Sequence, residues 1–163
     1  MAFDISAACT GFIFALNIAM QFLKTGQRKR ALIIGADVLS KIVDWTDRNT
    51  CILFGDGAGA AVLEAGSVRG IISINSASEG QKGKFLTCPT VDVKNTYTKG
   101  TENFKATISM DGKEIFKFAV KTIASSISRI LKENNYTLDD IKYVVCHQAN
   151  FRIIEFVDRK SVV

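Results

Sequence analysis

Between Asp4 and Lys24 the chain carries no charge, and the 19 residues from Ile5 to Leu23 read I-S-A-A-C-T-G-F-I-F-A-L-N-I-A-M-Q-F-L. From about Cys9 onward Phe12, Leu16, Ala19 and Leu23 recur at three- and four-residue spacing, while Phe14, Ile18, Met20 and Phe22 fill the other faces. A helix that is apolar nearly all round has to be buried, so the stretch predicts a helix enclosed by other elements. Gly26 supplies its stop. At its head Ala7-Ala8-Cys9-Thr10-Gly11 gathers small residues. A cysteine there meets unpaired backbone N–H groups and the positive end of the helix dipole, which favour thiolate over thiol. An ordinary packed cysteine occupies such a position equally well. The stretch is also about long enough to cross a bilayer. Ser6, Thr10, Gly11, Asn17 and Gln21 favour a buried helix of a water-soluble domain instead. The opening Met-Ala-Phe-Asp has no basic segment and does not read as a secretion signal.

Something must cover that helix, and 163 residues at 47% hydrophobic can build a real core. Ala31-Leu-Ile-Ile-Gly-Ala36 is a short apolar run of the kind buried parallel strands show. Asp37 to Asn49 is polar and predicts a loop with a short helix. In Ile52-Leu-Phe-Gly-Asp-Gly-Ala-Gly-Ala-Ala-Val-Leu63 the glycines lead into a strand-like run. A nucleotide-binding fingerprint needs strand, glycines, then helix, so the order excludes it. Gly70 to Ser76 predicts a further strand. From 77 to 104 the chain is polar, with scattered lysines and the only proline, Pro89. A stretch that long without periodicity is functional, mobile or a junction. Lys105 to Met110 predicts a strand, and Asp111 with Glu114 resembles a capping box. Phe116, Ala119, Val120, Ile123, Ile127, Ile130 and Leu131 then form one helical stripe that Asn134-Asn135 ends. Thr137 with Asp140 opens a helical turn, Tyr143 to Cys146 predicts a strand, and His147-Gln-Ala-Asn150 begins another helix. Alternating strands and helices indicate an α/β protein.

Cys9, Cys51, Cys88 and Cys146 are widely spaced, without a Cys-x-x-Cys pair. That pattern supports neither zinc nor a redox dithiol and suits free thiols in a reducing cytoplasm. The net charge of +5, densest at Arg28-Lys29-Arg30, suits an anionic partner but is too weak to argue for nucleic acid. His147 is the only histidine. A lone histidine is often structural, but this one follows an apolar strand-like run, where open α/β sheets collect ligands. Together with a distant cysteine it could serve nucleophilic chemistry. A papain-like protease expects Cys-Gly-x-Cys-Trp around its nucleophile, and Cys9 is followed by Thr10-Gly11-Phe12.

Asp4-Ile-Ser-Ala-Ala-Cys9-Thr-Gly-Phe12, Thr46-Asp-Arg-Asn-Thr50, Phe54-Gly-Asp-Gly-Ala-Gly-Ala60 and His147-Gln-Ala-Asn150 occur in one order. That order closely resembles β-ketoacyl-acyl-carrier-protein synthase III, the condensing enzyme that starts bacterial type II fatty-acid synthesis. The elongating synthases carry His-Gly-Thr where this chain has His-Gln-Ala-Asn. The resemblance implies a thiolase-like α/β fold, held in part. Residues 1–76 would be the end of the first half-domain, 77–104 a polar connection, and 105–163 the start of the second. It implies a decarboxylative Claisen condensation between a short acyl-CoA and malonyl-acyl-carrier protein. Cys9 would be the acylated nucleophile, its own N–H part of the oxyanion hole, and His147 a donor to the malonyl thioester oxygen. Arg48 matches a contact to the coenzyme A adenine region, and Arg152 a residue at the tunnel mouth facing the acidic carrier protein. Phe54, Met110 and Phe116 match the acyl pocket and tunnel, where plain core packing is an equal account, and Asn150 completes the substrate-binding set. No cofactor or metal is implied. A cytoplasmic homodimer, free of membrane and nucleic acid, is.

The chain departs from the family at both ends. The family's third catalytic residue, an asparagine in Gly-Asn-Thr-Ser, lies beyond the histidine, and Val163 comes first. The family's first strands and its glycine-rich C-terminal loop have no counterpart, and Asp158-Arg-Lys-Ser-Val-Val163 does not continue the helical pattern cleanly. The expectation is an internal fragment or truncated product. Two readings therefore stand: a condensing enzyme, or a folded, self-associating remnant that is inactive alone.

Overall fold

The computed structural model describes residues 1–161 except 69, 90, 91, 93, 101–103 and 105. The expected strand start at Lys105 and the terminal Val162-Val163 lie outside these. The chain divides into two compact units, Met1–Asp37 with Asp56–Ser78, and Val38–Gly55 with Glu79–Val163.

In the first unit a 3-10 turn, Ala8–Thr10, runs into helix α1, Gly11–Lys24. The helix ends as its sequence demands: Gly26 takes a left-handed φ of 73°, and its N–H donates to Leu23 O at 3.1 Å. Strand β1, Arg30–Val38, is paired with β2, Asp56–Glu64. The first residue of one faces the last of the other, Arg30 bridging to Glu64 at 2.8 Å and Ala65 N donating to Lys29 O at 2.9 Å. The two strands are therefore antiparallel, not the buried parallel type expected from Ala31–Ala36. Successive side chains on β1 point to opposite faces. The Phe12 ring lies against Gly35, where an added Cβ would come within 3.1 Å of Phe12 Cδ2, and Ile33 on the same face is buried. On the other face Leu32 and Ile34 are 64% and 63% exposed. Helix α1 has the predicted span but not the predicted enclosure. Met20 is its one buried residue, because a two-stranded sheet covers only one side of a helix apolar all round.

The second unit begins with a 3-10 turn, Leu39–Lys41, and the short helix α2, Arg48–Cys51. A 3-10 segment, Gly80–Phe85, leads into β3, Leu86–Thr87, which pairs antiparallel with β4, Ser109–Met110, Leu86 opposite Met110. Helix α3, Gly112–Glu133, starts on Asp111, whose carboxylate accepts from the N–H groups of Lys113 and Glu114. Glu114 pairs with Lys117 at 2.6 Å. Asn134 caps the end, followed by Asn135 at a left-handed φ of 58°. The predicted stripe on α3 packs against α4, Phe151–Ser161. Val120, Ile153 and Val157 are buried together, with Phe116, Ala119, Ile123 and Ile127 around them. Thr137 and Asp140 form a full capping box on the turn Leu138–Asp140. Gly70–Ser76 and Tyr143–Cys146 are not strands. Their apolar patterns find no ladder partner among the described residues, and Val145 is 90% exposed. No described helix is long and apolar enough to cross a membrane.

Candidate functional site

Cys9 sits in the turn that precedes α1, in the first unit; the other seven candidate residues belong to the second. The turn is unusual in its backbone. Ala8 has a φ of 46°, a left-handed conformation that costs a residue with a Cβ about 1–2 kcal/mol. Both the N–H and the hydroxyl of Thr10 donate to Ala7 O, at 3.2 and 2.8 Å, and Gly11 N donates to Ala8 O. These bonds hold the turn against its strain. No side chain caps the head of α1, and no acid lies in its first turn. Cys9 thus stands exposed at the head of a helix that carries no side-chain cap, at the positive end of its dipole, where negative charge is favoured.

In the second unit Asn150 is the cap of α4. Its Oδ1 accepts from Arg152 N at 2.9 Å, and its carbonyl from Ile153 N at 3.0 Å. Helix α4 therefore starts at Phe151 and not at His147, which is exposed three residues ahead of the cap. Arg152 and Phe116 line one open hollow of about 270 Å³ with Glu155, Phe156 and Arg159. There Phe156 meets Phe116 edge-on at 6.1 Å, and Glu155 pairs with Arg159, which leaves Arg152 without an acid partner among the described residues. Phe54 is half-buried just before β2, and Met110 half-buried in β4.

Arg48 opens α2 on a turn whose neighbouring side chains are tied down. Asp47 Oδ1 accepts from Asn49 N at 3.0 Å and Asn49 Nδ2 at 3.1 Å, and Oδ2 accepts from the Thr50 hydroxyl at 2.8 Å. The Asn49 N–H and then the Thr50 hydroxyl hold the Asp47 carboxyl below its ordinary value of 3.8. The motif from Thr46 to Thr50 marks this segment in the sequence, but nothing there singles out Asp47 and Thr50 except a cap-type Asp with a hydroxyl three residues on. The single tryptophan, Trp45, stands on the same turn, 66% exposed. No three His, Cys, Asp or Glu side chains among the described residues gather as a metal site.

A sequence model described as 3-Oxoacyl-[acyl-carrier-protein (ACP)] synthase III matches residues 3–80. The chain is 51% identical over 158 residues to the β-ketoacyl-[acyl-carrier-protein] synthase III of Clostridium novyi, covering 97% of this chain and 49% of that protein. It is 54% identical over 154 residues to the Clostridium kluyveri protein of the same name, covering 94% and 47%. The chain belongs to the β-ketoacyl-[acyl-carrier-protein] synthase III family. It spans about half the length of the curated relatives it matches. Solved structures agree. The Aquifex aeolicus 3-oxoacyl-[acyl-carrier-protein] synthase III superposes with a TM-score of 0.86 at 39% identity, over 99% of this chain and 48% of that one. The Pseudomonas aeruginosa synthase III gives 0.87 at 34%, over 100% and 49%. With family membership comes the thiolase-like α/β fold expected from the sequence, over about half of those solved chains.

Proposed function

We propose that the chain serves the decarboxylative Claisen condensation that starts type II fatty-acid synthesis. The family match carries this reading, and the exposed Cys9 at an uncapped helix head is the feature of the molecule that best suits it. The Cys9 sulfur attacks the thioester carbon of a short acyl-CoA, the carbon–sulfur bond to coenzyme A breaks, and the released thiolate takes a proton. Malonyl-acyl-carrier protein then loses carbon dioxide. The electron pair of the broken carbon–carbon bond becomes an enolate, whose carbon attacks acyl-Cys9 and expels the Cys9 thiolate. His147 donates a hydrogen bond to the enolate oxygen, and preorganised donors of this kind are commonly worth about 3–4 kcal/mol. Arg48 contacts the adenine region of coenzyme A, and Arg152 stands at the tunnel mouth near the phosphopantetheine and the acidic carrier protein. Asn150 contacts substrate, and Phe54, Met110 and Phe116 receive the acyl chain. These steps use no cofactor or metal. The same reading makes the protein a cytoplasmic homodimer. Incubation with radiolabelled acetyl-CoA, followed by peptide mapping, should place the label on Cys9 and lose it in Cys9→Ser. Label elsewhere, or label that survives the substitution, overturns the reading.

The half-length span of the relatives favours a second reading for these 163 residues by themselves: a folded, self-associating domain that turns nothing over. It expects no product from acetyl-CoA and malonyl-acyl-carrier protein, whereas a chain extended to the relatives' length condenses them. Turnover by the 163 residues at a comparable rate defeats it.

A further inference from the structure

The segment Asp44–Cys51 contains two carboxylates and a guanidinium, yet Arg48 has no acid partner among the described residues. Asp44 Oδ1 is occupied by Thr46, through its N–H at 2.9 Å and its hydroxyl at 2.6 Å. Both Asp47 oxygens are occupied by Asn49 and Thr50. Thr50 is 1% exposed, the most completely buried side chain among those described. Without the Asp47 carboxylate, its hydroxyl keeps only the 3.2 Å contact to the Asp47 carbonyl, and at 1% exposure bulk solvent does not reach it to replace the loss. The segment is also tied to the body of its unit: Val43 is buried, and Ile108 N donates to Ile42 O at 2.8 Å. The acids are thus engaged by N–H and hydroxyl groups of the turn itself, and the cation between them is left open on a turn that cannot rearrange cheaply. An unpaired guanidinium held in this way is preorganised for an anion, because the ordering of its backbone does not have to be provided on binding.

We propose that Asp47, braced by the buried Thr50, is a positioning residue for Arg48. It fixes where the guanidinium meets the adenine end of the coenzyme A portion of the acyl donor, an end that also carries phosphate. This rests on the reading of Arg48 given under Proposed function. Asp47 itself touches no ligand and acts only through Arg48, so its effect on binding exists only while Arg48 is present.

The test is a double-mutant cycle read by calorimetric titration of coenzyme A into the 163-residue chain. The proteins are wild type, Asp47→Ala, Arg48→Ala and the double variant, with Thr50→Val and Thr50→Ser alongside and circular dichroism confirming that each is folded. Asp47→Ala and Thr50→Val should raise the Kd on the order of tenfold, the effect of losing one good cap. Thr50→Ser, which keeps the hydroxyl, should restore binding to within about twofold of wild type. On the Arg48→Ala background Asp47→Ala should add nothing. An equal cost of Asp47→Ala in both backgrounds makes Asp47 a structural cap and overturns the proposal while the coenzyme A reading stands. If wild type gives no binding heat, or Arg48→Ala binds as well as wild type, the reading of Arg48 itself fails and takes the positioning role with it.

Discussion

Exposure separates the four thiols: Cys9 is exposed, while Cys51, Cys88 and Cys146 are each half-buried. Limited iodoacetamide treatment of the folded chain should therefore modify Cys9 first. Mass mapping that finds another cysteine labelled ahead of it refutes this. At Asp140 the Thr137 N–H and then the Thr137 hydroxyl donate to Oδ2 at 2.8 and 2.9 Å and hold the carboxyl below its ordinary value of 3.8. A folded-state value below the unfolded one contributes stability that is present above about pH 4 and lost as pH falls through the folded value. Asp140→Asn should thus be less stable than wild type at neutral pH, and the gap should close at about pH 2. Denaturant midpoints for both proteins at the two pH values check it, and a gap that persists in acid refutes the assignment.

At the scale of elements, the second unit has a buried seam between α3 and α4. Ile153 and Val157 of α4 bury against Val120 of α3, and Phe116, Ala119, Ile123 and Ile127 close around them. Ile153→Ala leaves a void there, and comparable truncations cost about 2–5 kcal/mol. Urea unfolding of the variant should show a loss in that range, and a loss below about 1 kcal/mol means the seam carries little. The helices were legible in sequence because each writes its own signals. The 3.6-residue stripe, Asp111 before α3 and Gly26 after α1 are local facts. The strands at Gly70–Ser76 and Tyr143–Cys146 were misread because a strand exists only with a neighbour, and an apolar run cannot say whether one is there. The candidate site divides along the same line. Cys9 at a helix head and Arg48 in its motif are visible in one dimension. The ties of Asp47 to Asn49 and Thr50 emerge only once the turn is closed.

For the molecule as a whole, apolar surface is the dominant feature. Leu32, Ile34 and Val62 stand exposed in the first unit, and Tyr143, Val144 and Val145 in the second. Contiguous apolar surface of this kind seldom stays bare in water. The 163 residues should associate with themselves, and a monodisperse monomer in light scattering at micromolar concentration contradicts that. The order of the chain adds a consequence for its synthesis. Residues Val38–Gly55 leave the ribosome between the two parts of the first unit but belong to the second. The amide that bonds to the carbonyl of Ile42 is that of Ile108, which is made only several seconds later at about 5–20 residues per second. From the completion of β2 at Glu64 until then, β1 and β2 can already pair, with the arginine-bearing segment left as an unfinished loop between them. Slowing translation between Glu79 and Ile108 should lengthen its exposure to proteases without touching the pairing of β1 with β2.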